Sequence, residues 1–239
     1  MSSNSEQISK TKRVEAMFND IAPKYDFLNH FLSLGIDRIW RRKVIRKIVN
    51  DEPTDVLDIA TGTADLAIML AKKHATVRIT GVDLAENMLA VGRKKVDELN
   101  LSNRISLKQG DSLSLPFEND SFDCAMVAFG VRNYENPVKG MEETLRVLRS
   151  HGKFYVLEFS KPRRFPLAQL YRFYFRAILP LVGRMVSGHK QAYTYLPESV
   201  SAFSDGNDFI LLMEKAGFLG CKFKKLSFGI ATIYEGVKG

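Results

Sequence analysis

The stretch VLDIATGTADLA, residues 56–67, passes from an apolar run through small residues into a helix-like segment. A strand that ends in such a turn and feeds a helix is the opening unit of a parallel α/β sheet, and backbone N–H groups in that turn can meet a nucleotide. Loops of this kind usually carry glycine at several places, whereas here Gly62 lies between Ala60 and Ala64. Gly62 is expected at positive φ, where a residue without a Cβ is at ease. The two alanines are expected to keep ordinary φ values and to be small enough for a ligand to come close.

Outward from this turn, short β-rich runs alternate with helical patterns. Strands are expected at 55–60, 77–82, 104–109, 122–129 and 153–159, with helices at 63–74, 85–99 and 137–149. That rhythm predicts a Rossmann-like α/β fold with a mostly parallel sheet. A helix near 206–217 and strands near 221–227 and 230–236, turning at Phe228–Gly229, add a C-terminal antiparallel hairpin. Val14, Met17, Phe18 and Ile21 recur at helical spacing, so the residues before the first strand form a helical appendage. One domain over 1–239 is expected: a helical cap at 1–50, a cofactor-binding core at 55–160, an insertion at 161–204 facing substrate or membrane, and a closing helix and hairpin at 205–239.

An apolar content of 45% suits a folded core. Cys124 and Cys221 are too few and too isolated for a disulfide framework or zinc site, and packing roles are expected. The first residues, MSSNSEQISKTKR, lack an apolar targeting region, and no uncharged stretch approaches the ~18 residues of a membrane span. A cytoplasmic protein, peripheral at the inner face of the membrane, is expected. The net charge of +8 favours anionic partners. Its excess lies in RIWRRKVIRK (38–47), KPRR (161–164) and KFKK (222–225), the first two interleaved with large apolar residues.

Acids at successive strand ends decide the ligand. Asp58 closes the first strand, Asp83 closes the second 25 residues later, and Asp111 closes the third. A carboxylate at the second position accepts hydrogen bonds from ribose hydroxyls; capping the helix that follows is the plainer role for Asp83. Three acids suit a ligand with an ammonium group, a ribose and an adenine amine better than a pyrophosphate dinucleotide, and S-adenosylmethionine is such a ligand.

VLDIATGTADLA, GVDLAENML, GDSLSLPF, FDCAMVAFGVRN and RVLRSHGKFYVLEF resemble the ordered motifs of class I methyltransferases over residues 55–160. The likeness extends further: VEAMFNDIAPKYDFLNHFLSLGIDRIWRR, FGVRN, LEFSKP and YTYLPES are similar to the menaquinone and ubiquinone biosynthesis C-methyltransferase family. The resemblance implies methylation of a ring carbon of a prenylated quinol, with demethylmenaquinol as substrate and a ubiquinone precursor as the alternative. It also implies cofactor contacts by Thr63, Asp83, Asp111 and Ser112, to which the strand-end reading adds Asp58 and Gly62. Ala64 stands where the family usually has glycine, and Ala128 where some relatives have serine.

Methyl transfer from a sulfonium is an in-line displacement that needs a nucleophilic ring carbon and a dry site. Arg132 and Asn133, after the fourth strand, are expected to hold the ionising ring oxygen. Tyr25 and Asp26 are further catalytic candidates, and His189 and Tyr195 are expected to bind substrate as their segments close over the site. Tyr25, Tyr193 and Tyr195 serve equally well as packing residues, and no general base stands out.

Between residues 166 and 185, Leu167, Leu170, Tyr171, Tyr174, Ile178, Leu181, Val182 and Met185 recur at helical spacing, with Pro180 ending or kinking the helix. This element is expected either to pack on the core or in a homodimer, or to meet an anionic membrane surface and admit a polyprenyl tail. Three rival classes fit the residues less well. A dehydrogenase would bring a fuller glycine fingerprint or a helical Tyr-x-x-x-Lys, and the spacing from Tyr234 to Lys238 falls in an expected strand. A nucleic-acid methyltransferase would bring a Pro-Pro-aromatic turn or a Pro-Cys motif, so no nucleic-acid partner is expected. A binding module without catalysis has no need of Gly62, Asp83 and Asp111 together.

Overall fold

Strand β1 (Asp55–Ile59) is an interior strand of a seven-stranded sheet in the computed structural model of the protein, which describes residues 10–26, 29, 33, 35–163, 165–173 and 190–239. The other strands are β2 (Arg78–Asp83), β3 (Ile105–Gln109), β4 (Phe122–Ala128), β5 (Leu148–Phe159), β6 (Leu219–Leu226) and β7 (Ala231–Val237), in the order β3-β2-β1-β4-β5-β7-β6. All pairings are parallel except those of β7, which runs antiparallel to both β5 and β6. The mostly parallel sheet with a C-terminal hairpin is thus as expected, and β7 enters between β5 and β6.

The described α-helices are α1 (Lys10–Ile21), α2 (Ile36–Asn50), α3 (Asp65–Ala71), α4 (Glu86–Glu98), α5 (Pro137–Val147), α6 (Leu167–Phe173), α7 (Lys190–Ala202) and α8 (Asn207–Lys215). Strand side chains alternate between two cores because successive Cβ atoms point to opposite faces. Val56, Ile79 and Met126 pack with α2, α3 and α4, while Leu57, Ala125 and Phe154 pack with α5 and α8. Both faces are covered, which is why these strands read as near-continuous apolar runs. Cys124 is buried and Cys221 half-buried, each with its thiol pKa raised by burial, the second to about 11.

Three expectations shift. Helix α3 starts at Asp65 rather than 63, because Ala64 at φ 64° breaks the helical path just before it. Strand β5 begins at Leu148, with an irregularity in its pairing to β4 between Phe122 and Cys124. Of the helix expected over 166–185, the described part is α6; the remainder, with Pro180, lies outside the described residues.

The strand order reverses between β1, which leads to β2 and β3, and β4, which leads to β5. A crevice outside the carboxyl ends of strands forms at such a switch point. The loop 60–64 after β1 and the segment 129–133 after β4 face each other there, and the appendage covers them.

Candidate active site

The loop after β1 departs from its expected geometry. Ala60, Gly62 and Ala64 take φ of 53°, 58° and 64°, so all three positions are left-handed. The expectation that the alanines keep ordinary φ is therefore corrected. A non-glycine residue in this region costs about 1–2 kcal/mol, and tertiary packing holds both alanines in place. The Ala60 methyl fills the space left by Gly130, where a Cβ would lie 2.6 Å from it. Ala64 is fully buried, beside the space left by Gly92. The turn closes through Ala64 N–H to Thr61 O at 3.0 Å, and Thr61 N–H ties it to Val82 O of β2 at 3.0 Å.

Above this loop lies a cavity lined by Gly62, Asp83, Asp111, Ser112, Asn133 and Tyr134 among others, and roofed by Thr11, Glu15 and Phe18 of α1. Gly62 N–H donates to Asp83 Oδ2 at 2.8 Å and Ala85 N–H to Oδ1 at 2.9 Å. Each oxygen keeps a further acceptor position toward the cavity. Burial raises the Asp83 pKa, and these two backbone donors oppose it. The helix-capping role and the ligand-facing role thus fall on one carboxylate. Asp111 Oδ1 accepts Leu113 N–H at 2.8 Å, fixing the third strand-end acid at the rim. Glu15 and Glu135 also line the cavity, and among the described lining residues there is no Lys, Arg or His.

Asp58 and Thr63 are placed elsewhere. Asp58 is buried beneath the loop, where Thr61 Oγ1 donates to its Oδ2 at 2.7 Å, and burial raises its pKa to about 7. Thr63 Oγ1 donates to Asp26 Oδ1 at 2.5 Å, and Lys95 Nζ reaches Asp26 at 2.8 Å and Asp65 at 2.5 Å. Asp26 therefore belongs to an ion cluster that ties the appendage to α4, and it does not line the cavity.

A second cavity adjoins the first. Phe18, Tyr25 and Phe129 are common to both walls. Tyr25 is half-buried, and desolvation of its hydroxyl raises its pKa, while Asn29, Arg132 and Arg41 act in the other direction. Phe129 holds φ 61°; a bulky residue there persists only where its surroundings fix it. Its ring lies 4.6 Å from that of Phe159. Arg132 sits 5.5 Å from the Phe159 centroid, and its Nη1 pairs with Glu158 Oε1 at 2.8 Å and with the Phe129 carbonyl. Both members of that pair are buried, and burial raises the Glu158 pKa against the pull of Arg132. Tyr195 OH donates to Asn133 Oδ1 at 2.8 Å, linking a residue of each cavity. His189 lies outside the described residues.

The second cavity also holds Asp37 and Arg41, which sequence reasoning missed. In α2 the buried positions are Asp37, Trp40, Arg41, Val44, Ile45 and Ile48. An acid and a base four residues apart on the apolar stripe of a helix were the available signal.

The family model of the ubiE/COQ5 methyltransferase family matches residues 6–238. A demethylmenaquinone methyltransferase of Porphyromonas gingivalis is 47% identical over 230 residues, covering 96% of this chain and 94% of the relative. A ubiquinone/menaquinone biosynthesis C-methyltransferase of Geobacter sulfurreducens is 44% identical over 231 residues, covering 96% and 90%. Among solved structures, the cyclase SpnF superposes with TM-score 0.72 at 18% identity, covering 95% of this chain and 96% of the other. A SAM-dependent methyltransferase of Thermotoga maritima superposes with TM-score 0.65 at 20% identity, covering 94% and 99%. These two superpositions speak for the fold alone. With the family model matched along nearly its whole length and relatives well above 40% identity, the chain belongs to the ubiE/COQ5 methyltransferase family.

Proposed function

We propose that this methyltransferase uses S-adenosylmethionine to methylate a ring carbon of a prenylated quinol, demethylmenaquinol above all. The observation that carries the reading is the contrast between two adjoining cavities. The first is lined by Glu15, Asp83, Asp111 and Glu135 without a basic side chain, which suits a sulfonium and an ammonium group. The second holds Arg41 and Arg132, which suits a phenolate. The names of the Porphyromonas and Geobacter relatives supply the quinol class.

The residues fit the cofactor. Asp83 would receive the ribose hydroxyls, Asp111 and Ser112 would hold the adenine end, and the Gly62 turn would leave room for close approach. When bound, the cofactor would supply an electrophilic methyl group on a sulfonium, with the neutral thioether as the leaving group. The ring carbon gives its pair to the new C–C bond, and the proton it then loses restores the aromatic ring. Phe18, Tyr25 and Phe129 keep water from the junction of the two cavities. Asn133, oriented by Tyr195, stands beside that junction.

The substrate's tail gives a reason to expect contact with a membrane surface. In support, Phe165, Leu170, Phe173 and Phe228 are exposed, and the turn bearing Phe228 abuts Pro162. Lys161, Arg163, Lys224 and Lys225 add positive charge nearby. No helix among the described residues is long and apolar enough to cross a membrane.

The test supplies a short-chain demethylmenaquinol, kept reduced, with cofactor labelled in its methyl group. Label on a ring carbon supports the reading; label on the hydroxyl oxygen, or only on added RNA, overturns it. Competition with a benzoquinol distinguishes the ubiquinone precursor as substrate.

A further inference from the structure

We propose that Arg41 is a catalytic residue whose two Nη groups receive the ionised oxygen of the substrate ring. The inference rests on the ring-methylation reading of the same site. Arg41 is 94% buried, counted from its 6% exposure, yet it lines the second cavity. Its Nε reaches Asp37 Oδ2 at 3.5 Å, and among the described residues neither Nη group has a hydrogen-bond partner. The Nη atoms are not among the fully buried atoms that lack a partner, so they keep access at the cavity wall, where a ligand oxygen or water completes them. Asp37 is itself engaged by Ser33 Oγ at 2.6 Å, which steadies the carboxylate that aims the fork.

Arg132 is the less available of the two cations. Its Nε is held by Ser199 Oγ at 3.3 Å and its Nη1 by Glu158 and the Phe129 carbonyl. Tied in this way, Arg132 fixes the backbone of Phe129, while Arg41 stands 5.3 Å from the centroid of the same ring. Phe129 belongs to the walls of both cavities, so an oxygen held by Arg41 lies near their junction. A planar fork with two open donors suits one phenolate oxygen. Tyr25, whose hydroxyl feels the charge of both arginines, borders the same space.

Arg41→Gln and Arg41→Lys test this against a purely structural pairing with Asp37. If Arg41 stabilises the phenolate, Arg41→Gln lowers kcat/KM at pH 7 by about 10²–10³. The deficit should then narrow to within about tenfold near pH 10, where a phenolic hydroxyl ionises unaided. Arg41→Lys keeps the charge and should lose less than about thirtyfold. Cofactor affinity by calorimetry should stay within about twofold in both variants, which also reports folding. Binding of 1-naphthol, whose phenolate has its own absorption band, gives a readout without turnover: the wild type should lower its apparent pKa, Arg41→Lys should lower it less. An equal fractional loss of activity at every pH, or no loss, overturns the inference; so does an unshifted naphthol pKa in the wild type. A wild-type enzyme that methylates no quinol ends the broader reading as well.

Discussion

The N–H of Gly62 donates to Asp83 Oδ2 at 2.8 Å, so the loop after β1 and the acid at the end of β2 form one unit. Asp83→Ala removes the brace of the loop together with the acceptor proposed for the ribose. Its affinity for S-adenosylmethionine should fall by about 1.5–3 kcal/mol, the range for hydrogen bonds to a charged group. Isothermal calorimetry showing wild-type affinity would take Asp83 out of the cofactor site.

Gly130 and Ala60 predict a compensating pair. A Cβ on Gly130 would lie 2.6 Å from the Ala60 methyl and 3.0 Å from Val127 Cγ2. Gly130→Ala should therefore destabilise by about 1–3 kcal/mol through overpacking. Adding Ala60→Gly removes the nearer obstacle and relaxes a left-handed alanine, so the double variant should recover more than half of the loss. Denaturant unfolding of the four proteins measures the coupling, and simple additivity would contradict the packing described.

Asp58 predicts an inverted pH response. Its folded pKa of about 7 lies above the ordinary carboxylate value because burial disfavours the charge, with Thr61 and Arg41 acting against that rise and Asp83 adding to it. A group with a raised folded pKa contributes stability in full below its unfolded pKa. That contribution is lost as pH rises through the folded value, here between about pH 4 and 7. Asp58→Asn stays neutral, so its melting temperature relative to wild type should climb from pH 4 to pH 8. A difference that is flat with pH would show that Asp58 titrates normally in the fold.

Asp26 and Lys95 predict an effect on binding rather than chemistry. Their ion pair is partly exposed and should contribute about 0.5–1 kcal/mol. Lys95→Met and Asp26→Asn should each raise the KM for cofactor by about two- to fivefold, with kcat little changed and no further effect when combined. A fall in kcat of a hundredfold or more for Asp26→Asn would restore the catalytic role expected from the sequence.

Phe165, Phe173 and Phe228 carry the membrane proposal. Flotation with anionic vesicles should show binding that weakens with salt, as screening requires, and Phe228→Ser should reduce it. Equal recovery on neutral and anionic vesicles would count against an electrostatic docking face.

The sheet was legible because its interior strands are apolar runs ended by turn residues, and Asp83 and Asp111 could be placed because strand ends dictate where their side chains emerge. The left-handed alanines were not, since no local rule puts Ala60 or Ala64 at positive φ; that conformation is imposed by Gly130 and Gly92, 70 and 28 residues away. Arg132 lines the second cavity, but its pairing with Glu158 depends on β5 lying next to β4, which spacing alone does not reveal. The ion pair of Asp26 was hidden for a similar reason: its partner Lys95 is on α4, 69 residues away.

The insertion of β7 between β5 and β6 has a consequence for biosynthesis. The ribosome delivers β1 to β5 first, and β5 then presents an unpaired edge until the residues of β7 have emerged. β6 arrives earlier but has no place in the sheet without β7, and Trp40 and Lys47 of α2 wait for Ser227 and Glu235. Nascent chains stalled before residue 231 should thus hold a nearly complete cofactor loop on an open-edged sheet, the state in which this enzyme most needs protection from aggregation.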